Sequence, residues 1–433
     1  MPLEKKFPQE KNLAGIRLFS NFRKLIDSVN LTNVVIAIGI PLLGCGLALN
    51  VPLNGMTLVW SCLYWFLSAM GITAGYHRLW AHKSYSARLP LQILLALLGA
   101  AAVEGSIRRW SRDHRAHHRY VDSDSDPYSV HKGLLHAHMG WFIFRQDRKG
   151  FGKVKTEDLD SDQIVVWQNK NYVSLFLVMT FIVPTIVAGF GWGDYWGGFV
   201  YAGCLRMFVV QQNTYCINSL AHWLGDQPYQ SKHSPRNNLF AAIMTLGEGY
   251  HNFHHEFPND YRNGIRWFDF DPTKWFLEVL AISGLVYDLH KFPENEIAKG
   301  RLQERVKSLN NEARKISWGI PEDQLPIMTW KEFQNVNTAE VKLTCINNVI
   351  YDISGFISQH PGGNSILGGL GKDATEMFHG GIYEHSNAAH NLLSQMRKAK
   401  LATQRQTSPR MFCPLDFSRE EEHLCLQKGR GGG

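Results

Sequence analysis

The chain has 433 residues, enough for two or three folded units, with 45% apolar residues and a formal net charge of +7. Seven cysteines, odd in number and without C-x-x-C spacing, argue against a disulfide framework and against a thiolate metal site. The mild positive charge comes with no basic-aromatic reader motif, which excludes nucleic acid as the expected partner and points to loops facing an anionic leaflet or anionic substrate.

The mean hydropathy of -0.20 averages strongly apolar blocks with charged ones. The N-terminal stretch is basic and polar (Lys5, Lys6, Lys11, Arg17, Arg23, Lys24), without the apolar core of a secretory signal. A membrane-crossing helix needs about 20 apolar residues. Four segments qualify: 33–51, 56–75, 173–191 and 195–220. Their connectors at 52–55 and 192–194 lack Lys and Arg, whereas 1–32, 76–171 and 221–330 are rich in both. The positive-inside rule therefore predicts cytosolic termini and cytosolic large loops. The apolar run 89–103 is short for a span and reads as interfacial or re-entrant. A fifth crossing would also put the two histidine motifs described next on opposite faces.

Past the second span come His77 and His82. An offset of five is about 140° around a regular helix, so these two would share a site only if the helix ends between them, or would serve two neighbouring metals. Next is His114-Arg115-Ala116-His117-His118, and the same H-x-x-H-H pattern returns at His251-Asn252-Phe253-His254-His255. Histidines at i, i+3 and i+4 fall on one helical face and can converge on one point. A single such motif could be a solvated cationic turn; the repeat favours metal. At the end of the fourth span, Asn218 and His222 sit one turn apart, with Asn218 suited to hold a metal through water. Nine imidazoles exceed the capacity of one metal and fit two, with four or five ligands each. Structural zinc closes with four ligands and favours cysteine. Soluble di-iron bundles use carboxylates. An all-histidine shell leaves the metal charge uncompensated and suits an oxidising centre, so the implied chemistry is redox.

The run 276–286 is too short to cross, and residues 291–325 read as a polar helical linker. A second unit begins near 327, with β-type runs at 341–345 and 349–353. Then come Ser358-Gln359-His360-Pro361-Gly362-Gly363, Gly371 to Thr375, and His385-Ser386-Asn387. Two loop histidines of this spacing, His360 and His385, would clamp haem from both faces and leave no open iron position, so such a haem passes electrons. His379 and His390 are rivals for the second ligand.

The segments Gly71 to Trp80, Asp113 to His118, Asn218 to His222 and Gly247 to Pro258, with the His-Pro-Gly-Gly and His-Ser motifs, resemble the membrane acyl-CoA Δ9 desaturases (the stearoyl-CoA desaturase family). The resemblance runs over about residues 30–400 and is to the fungal layout with a carboxy-terminal cytochrome b5 domain. It implies two non-haem irons on His77, His82, His114, His117, His118, His222, His251, His254 and His255, with Asn218 joining through water and the division of the nine left open. It also implies haem b between His360 and His385. The implied reaction places a cis double bond between C9 and C10 of a saturated acyl-CoA. It uses dioxygen and two electrons from NADH, passed by cytochrome b5 reductase through the fused domain. Resemblance further assigns acyl-CoA headgroup contacts to Asn33, Arg112, Asp113, Arg145 and Tyr215. Gly105, Gln146 and Tyr215 depart there from animal relatives, which carry Asn, Lys and Trp. Residues 64–70 are expected as walls near the closed end of an acyl tunnel.

The expected architecture is mainly α: a four-helix transmembrane bundle with a cytosolic helical cap holding a histidine di-iron site, plus a small α+β haem domain. Expected boundaries are an N-terminal segment 1–32, a membrane desaturase domain 33–290, a linker 291–325, a cytochrome b5-like domain 326–403 and a disordered tail 404–433. The expected location is the endoplasmic reticulum membrane, in contact with lipid. A cytochrome b5-fused fatty-acid or sphingolipid hydroxylase is the alternative reading. A membrane-anchored electron carrier leaves most of the histidines unexplained, and a metal transporter would hold its ligands near the bilayer midplane.

Overall fold

A computed structural model describes residues 27–402 except 339 and 381–383, so most of the expected N-terminal segment and the expected tail 404–433 lie outside the described residues. The chain forms two compact units that divide after Leu309.

The first unit is helical. Helices α1 (Leu31–Ala48) and α2 (Gly55–Ala81) follow the first two expected spans, and both are long and apolar enough to cross a membrane. Asn54 starts α2 by accepting from the Met56 N–H at 2.8 Å. The 89–103 run gives the shorter helix α3 (Leu89–Ala100), which matches its reading as too short to span. Helix α4 (Ile107–Tyr120) carries the first histidine motif and is capped by Ser106. Helix α5 (Tyr172–Trp192) is the third long apolar helix and ends at Gly193 in the left-handed region, φ 78°.

The fourth expected span, α6 (residues 195–219), is helical throughout, but among the described residues only α1, α2 and α5 combine the length and apolarity of a span. The reason is its polar inner face. Arg206 is buried and donates to the carbonyls of Ala101 (2.7 Å) and Ala202 (3.0 Å) and to the Ser68 hydroxyl (3.2 Å), and it lies over the Tyr64 ring. Gln211, Asn213 and Asn218 continue this buried face. At the other end of the helices the two lysine- and arginine-free connectors meet: Thr57 bonds to Asp194, Trp192 donates to Thr57 (2.8 Å), and Tyr201 donates to the Val51 carbonyl (2.6 Å). Both connectors therefore lie at one end of the helix group.

Small residues set how closely α2 and α3 approach. A side-chain carbon on Gly71 would lie 2.1 Å from the Gly99 backbone nitrogen, and one on Gly99 would lie 2.3 Å from the Tyr76 ring. This contact seats the end of α2 that carries His77. After α6 come the short helices α7 (Leu239–Met244) and α8 (His251–Glu256), then α9 (Pro272–Ile282). A two-stranded ribbon, β1 (Ser86–Ala87) with β2 (Val286–Tyr287), ties the two ends of this region together. Helix α10 (Glu294–Ala313) occupies the start of the expected linker.

The second unit is built on a four-stranded sheet of order β3-β6-β5-β4, with β3 (Ile327–Met328) parallel to β6 (Arg397–Leu401) and the other pairs antiparallel. Strands β4 (Leu343–Ile346) and β5 (Val349–Asp352) fall close to the two expected runs. Asn347 and Asn348 turn between them at φ 50° and 61°, the left-handed pair that a two-residue hairpin needs and asparagine tolerates. Phe333, Leu343, Cys345, Ile350 and Ala399 form one apolar cluster against this sheet.

Candidate metal centre

Nine histidine side chains from α2, α4, the end of α6 and α8 gather into two adjoining pockets. Pocket A holds His77, His82, His114, His118 and His254; pocket B holds His117, His222, His251 and His255. Within each, the candidate ligand atoms lie within 4.8 Å of one another. The pockets touch: the His118 and His255 rings stack at 4.0 Å.

The division corrects the reading of each H-x-x-H-H motif as three rings aimed at one point. On α4, the i and i+4 residues (His114, His118) enter pocket A and the i+3 residue (His117) enters pocket B. On α8 the roles exchange: His251 and His255 enter pocket B and His254 enters pocket A. A four-residue step keeps two rings on one side of a helix, while the three-residue step points across it.

His77 and His82 share one pocket, and α2 does end between them, at Ala81. From Gly71 to Ala81 it is π-helical, and the His82 N–H donates to the His77 carbonyl at 3.0 Å. In a wider i→i+5 turn the five-residue offset brings the two rings to the same side instead of separating them, and they lie 4.8 Å apart, edge to face, in one pocket.

The ring nitrogens face one another. Nε2 pairs lie at 2.9 Å (His77–His254), 2.8 Å (His82–His114) and 3.0 Å (His118–His254) in pocket A. In pocket B the His222–His251 and His251–His255 pairs are at 3.0 Å. Two imidazole nitrogens bound at right angles to one ion, each about 2.05 Å from it, stand about 2.9 Å apart. The buried His117 Nε2 has no hydrogen-bond partner among the described residues. Burial, and secondarily the charge of neighbouring imidazoles, drives His82, His114, His118, His222, His251, His254 and His255 well below the usual imidazole range. The neutral form is the one that binds metal.

Hydrogen bonds on the far side of the rings fix their tautomers. His77 Nδ1 donates to Glu248 (2.8 Å), His117 Nδ1 to Asp126 (2.9 Å), and His222 Nδ1 to the Ser234 hydroxyl (2.7 Å). Glu248 also receives Arg78 (2.9 Å) and Asn263 (2.7 Å), and Arg78 reaches Asp271 (2.9 Å). Burial acts to raise the Glu248 carboxyl, but His77 and Arg78 outweigh it and hold the pKa down at about 2. These orienting groups escaped the sequence reading. Glu248 lies inside the Gly-Glu-Gly run, but Asp126 and Ser234 carry no local signal.

A cavity beside the pockets is lined by Ile72, Thr73, Glu104, Thr214, Asn218 and His251, among others. His77 and His114 of pocket A border it too. Asn218 is buried in this lining. Glu104 was not foreseen. Burial pushes its carboxyl up to about 8, against hydrogen bonds from Thr214 and Trp110, so it stands as a neutral acid at pH 7. Trp110 in turn stacks on His114 at 4.8 Å. The expected tunnel residues 64–70 lie outside the lining: Tyr64 donates to the Met179 carbonyl and Ser68 to the Tyr64 carbonyl (2.6 Å).

The expected headgroup residues also lie outside this lining. Arg112 pairs with Asp113 (2.8 Å), Asn33 donates to the Phe142 carbonyl (2.6 Å), and Arg145 is exposed. Tyr215 is fully buried against Trp141 and Phe142, and its hydroxyl has no partner among the described residues.

In the second unit the His360 and His385 rings face each other with centroids 6.5 Å apart. Each commits Nδ1 to a backbone carbonyl, His360 to Gly363 (3.3 Å) and His385 to Phe378 (2.6 Å), so Nε2 is the nitrogen each would offer to a haem iron. His379 is engaged elsewhere, by Asn347 at 2.8 Å, and the His390 ring lies 5.7 Å from it.

A helical unit with apolar helices and two histidine pockets, followed by a small sheet unit with an opposed histidine pair, defines a metal-dependent membrane oxidoreductase joined to a haem carrier. Residues 54–289 match the fatty acid desaturase family profile, and residues 329–402 match the cytochrome b5-like heme/steroid binding domain. A probable acyl-CoA desaturase of Schizosaccharomyces pombe is 47% identical over 372 residues, covering 86% of this chain and 77% of the relative. Acyl-CoA desaturase 1 of Saccharomyces cerevisiae is 43% identical over 386 residues, covering 88% and 76%. Human stearoyl-CoA desaturase is 38% identical over 256 residues, covering 58% and 70%. The chain belongs to the fatty acid desaturase family and carries a carboxy-terminal cytochrome b5 domain.

Proposed function

We propose that this chain is an acyl-CoA Δ9 desaturase that forms a cis double bond between C9 and C10 of a saturated acyl-CoA. Its relatives are named acyl-CoA, stearoyl-CoA and Δ9 fatty-acid desaturases, and none of the names cited is a hydroxylase. The observation that carries the reading is the pair of adjoining all-histidine pockets, five and four rings, beside one cavity.

On this reading His77, His82, His114, His118 and His254 hold one iron. His117, His222, His251 and His255 hold the other, with Asn218 joining through water. Bound there, two irons supply a one-electron oxidant strong enough to remove hydrogen from an unactivated methylene, with dioxygen reduced to water. The protein's part is positioning. Trp110, Thr214 and Ile72 keep the acyl chain beside the pockets, and Glu248 and Asp126 hold His77 and His117 in the metal-binding tautomer. Asn33, Arg112, Asp113, Arg145 and Tyr215 receive the CoA head. His360 and His385 would hold haem b, which would supply the electron-carrying step for electrons that cytochrome b5 reductase takes from NADH.

The membrane reading is four crossings, α6 being the polar one, with both termini and both pockets on the cytosolic face of the endoplasmic reticulum. On this reading the desaturase domain is 33–290, the linker 291–325 and the haem domain 326–403.

Expression in a desaturase-deficient host, with mass analysis of the products, tests the reaction. Loss of two hydrogens at C9–C10 is the expected result, and gain of one oxygen would point to a hydroxylase. The His251→Ala variant should lose all desaturation and keep its haem spectrum; retained activity would remove His251 from the centre.

A further inference from the structure

Two of the four pocket-B rings trace back to one residue. Asp122 lies between α4 and Asp126 with φ 66°, a left-handed conformation that aspartate and asparagine tolerate better than most side chains. Its backbone N–H donates to Asp126 Oδ2 at 3.0 Å, and the other oxygen of Asp126 receives His117 Nδ1. Its carboxylate receives both the N–H (2.7 Å) and the hydroxyl (2.5 Å) of Ser234. Because the Ser234 hydroxyl spends its proton on Asp122, its oxygen accepts the His222 Nδ1–H at 2.7 Å. One arm runs through the backbone to His117 and the other through the side chain to His222.

Pocket A has no counterpart to this arrangement among the described residues. There Glu248 bonds His77 directly and is held by Arg78 and Asn263, all buried. Asp122 is nearer the surface: its side chain is 13% exposed, with His131 at 3.6 Å and His233 at 3.8 Å on its outer side.

We propose that Asp122 is the positioning residue of pocket B, setting the tautomer and orientation of His117 and His222 together and so controlling how tightly that pocket holds its metal. This rests on the reading of the pockets as two iron sites. Partners of this kind, when removed, cost about 10- to 100-fold in metal affinity.

The test uses the purified full-length protein, with non-haem iron counted per haem and its release followed under a ferrous chelator. Asp122→Asn keeps the left-handed backbone and its N–H, but offers one amide oxygen where the carboxylate offers two. Ser234→Ala removes only the relay hydroxyl. Both variants should give up one of the two irons about 10- to 100-fold faster than the unmodified protein, while the second iron and the haem spectrum stay unchanged. Should Asp122→Asn fail to fold, Ser234→Ala decides the side-chain arm to His222, and unchanged iron release from it overturns the relay. Release rates equal to the unmodified protein, or loss of both irons together, overturn the assignment. An unmodified protein that binds no iron overturns the reading beneath it.

Discussion

Seven of the pocket imidazoles stay neutral because burial denies them the charged form, and this gives the metal-free protein a pH dependence of known sign. In the unfolded chain each titrates near the ordinary value of 6.5, while in the fold seven of them titrate well below it. Below pH 6.5 the unfolded state therefore binds more protons, and stability is lost as pH falls through that window. Thermal melts of chelator-stripped protein should show a falling midpoint from pH 7 to pH 5, and a flat profile would contradict the burial of the rings. Glu104 has the opposite character. Its folded pKa of about 8 lies above the carboxyl value of 4.5, so it is neutral at pH 7. Glu104→Gln should keep most desaturase activity at pH 7, whereas a loss beyond about tenfold would show that the acid proton itself is used. At this scale six ring positions could be read from the sequence because a repeated spacing marks them, while His77, His82 and His222 were legible only beside that repeat and through the family resemblance. Glu104, Asp126 and Ser234 could not, since each acts through a contact that only the fold creates.

Helical elements decide which ring goes where, and here the regular 3.6-residue turn was a partial guide. It located α4 and α8, though not the split of their histidines between the two pockets. It set His77 and His82 about 140° apart, because no residue pattern announces that α2 widens into a π-helix at Gly71 and ends at Ala81. It also counted α6 among the apolar spans, although the carbonyls and Ser68 that solvate Arg206 come from three other segments. The close contact of α2 with α3 can be tested directly. A methyl group at Gly71 would meet backbone rather than a movable side chain, 2.1 Å from the Gly99 nitrogen. Gly71→Ala should lower the unfolding midpoint by an amount matching about 1–3 kcal/mol or more, and should weaken iron retention because His77 rides on the same helix. An unchanged melting curve and iron content would mean that the contact is looser than its geometry implies.

For the whole molecule, the order of units was legible because each carries its own motif set: histidine boxes in one, the His-Pro-Gly-Gly and His-Ser pair in the other. Fusing carrier to oxidase replaces a bimolecular encounter by a local one, so the fused domain acts at high effective concentration. Removing residues 327–433 should abolish the haem spectrum and cut turnover sharply in cells lacking free cytochrome b5, with recovery when that protein is supplied. Full activity without either source would show that the fused domain is dispensable. His385→Ala should lose the low-spin haem absorbance while His379→Ala keeps it, as their different partners, Phe378 and Asn347, imply.

In the proposed centre nine histidines serve two metals rather than one. Its most direct test is the ratio of non-haem iron to haem in the purified, fully loaded protein. Two irons per haem is the predicted value, falling when either His254 or His251 is replaced by alanine. A ratio of one, or a chain that binds haem but no other iron, would contradict it.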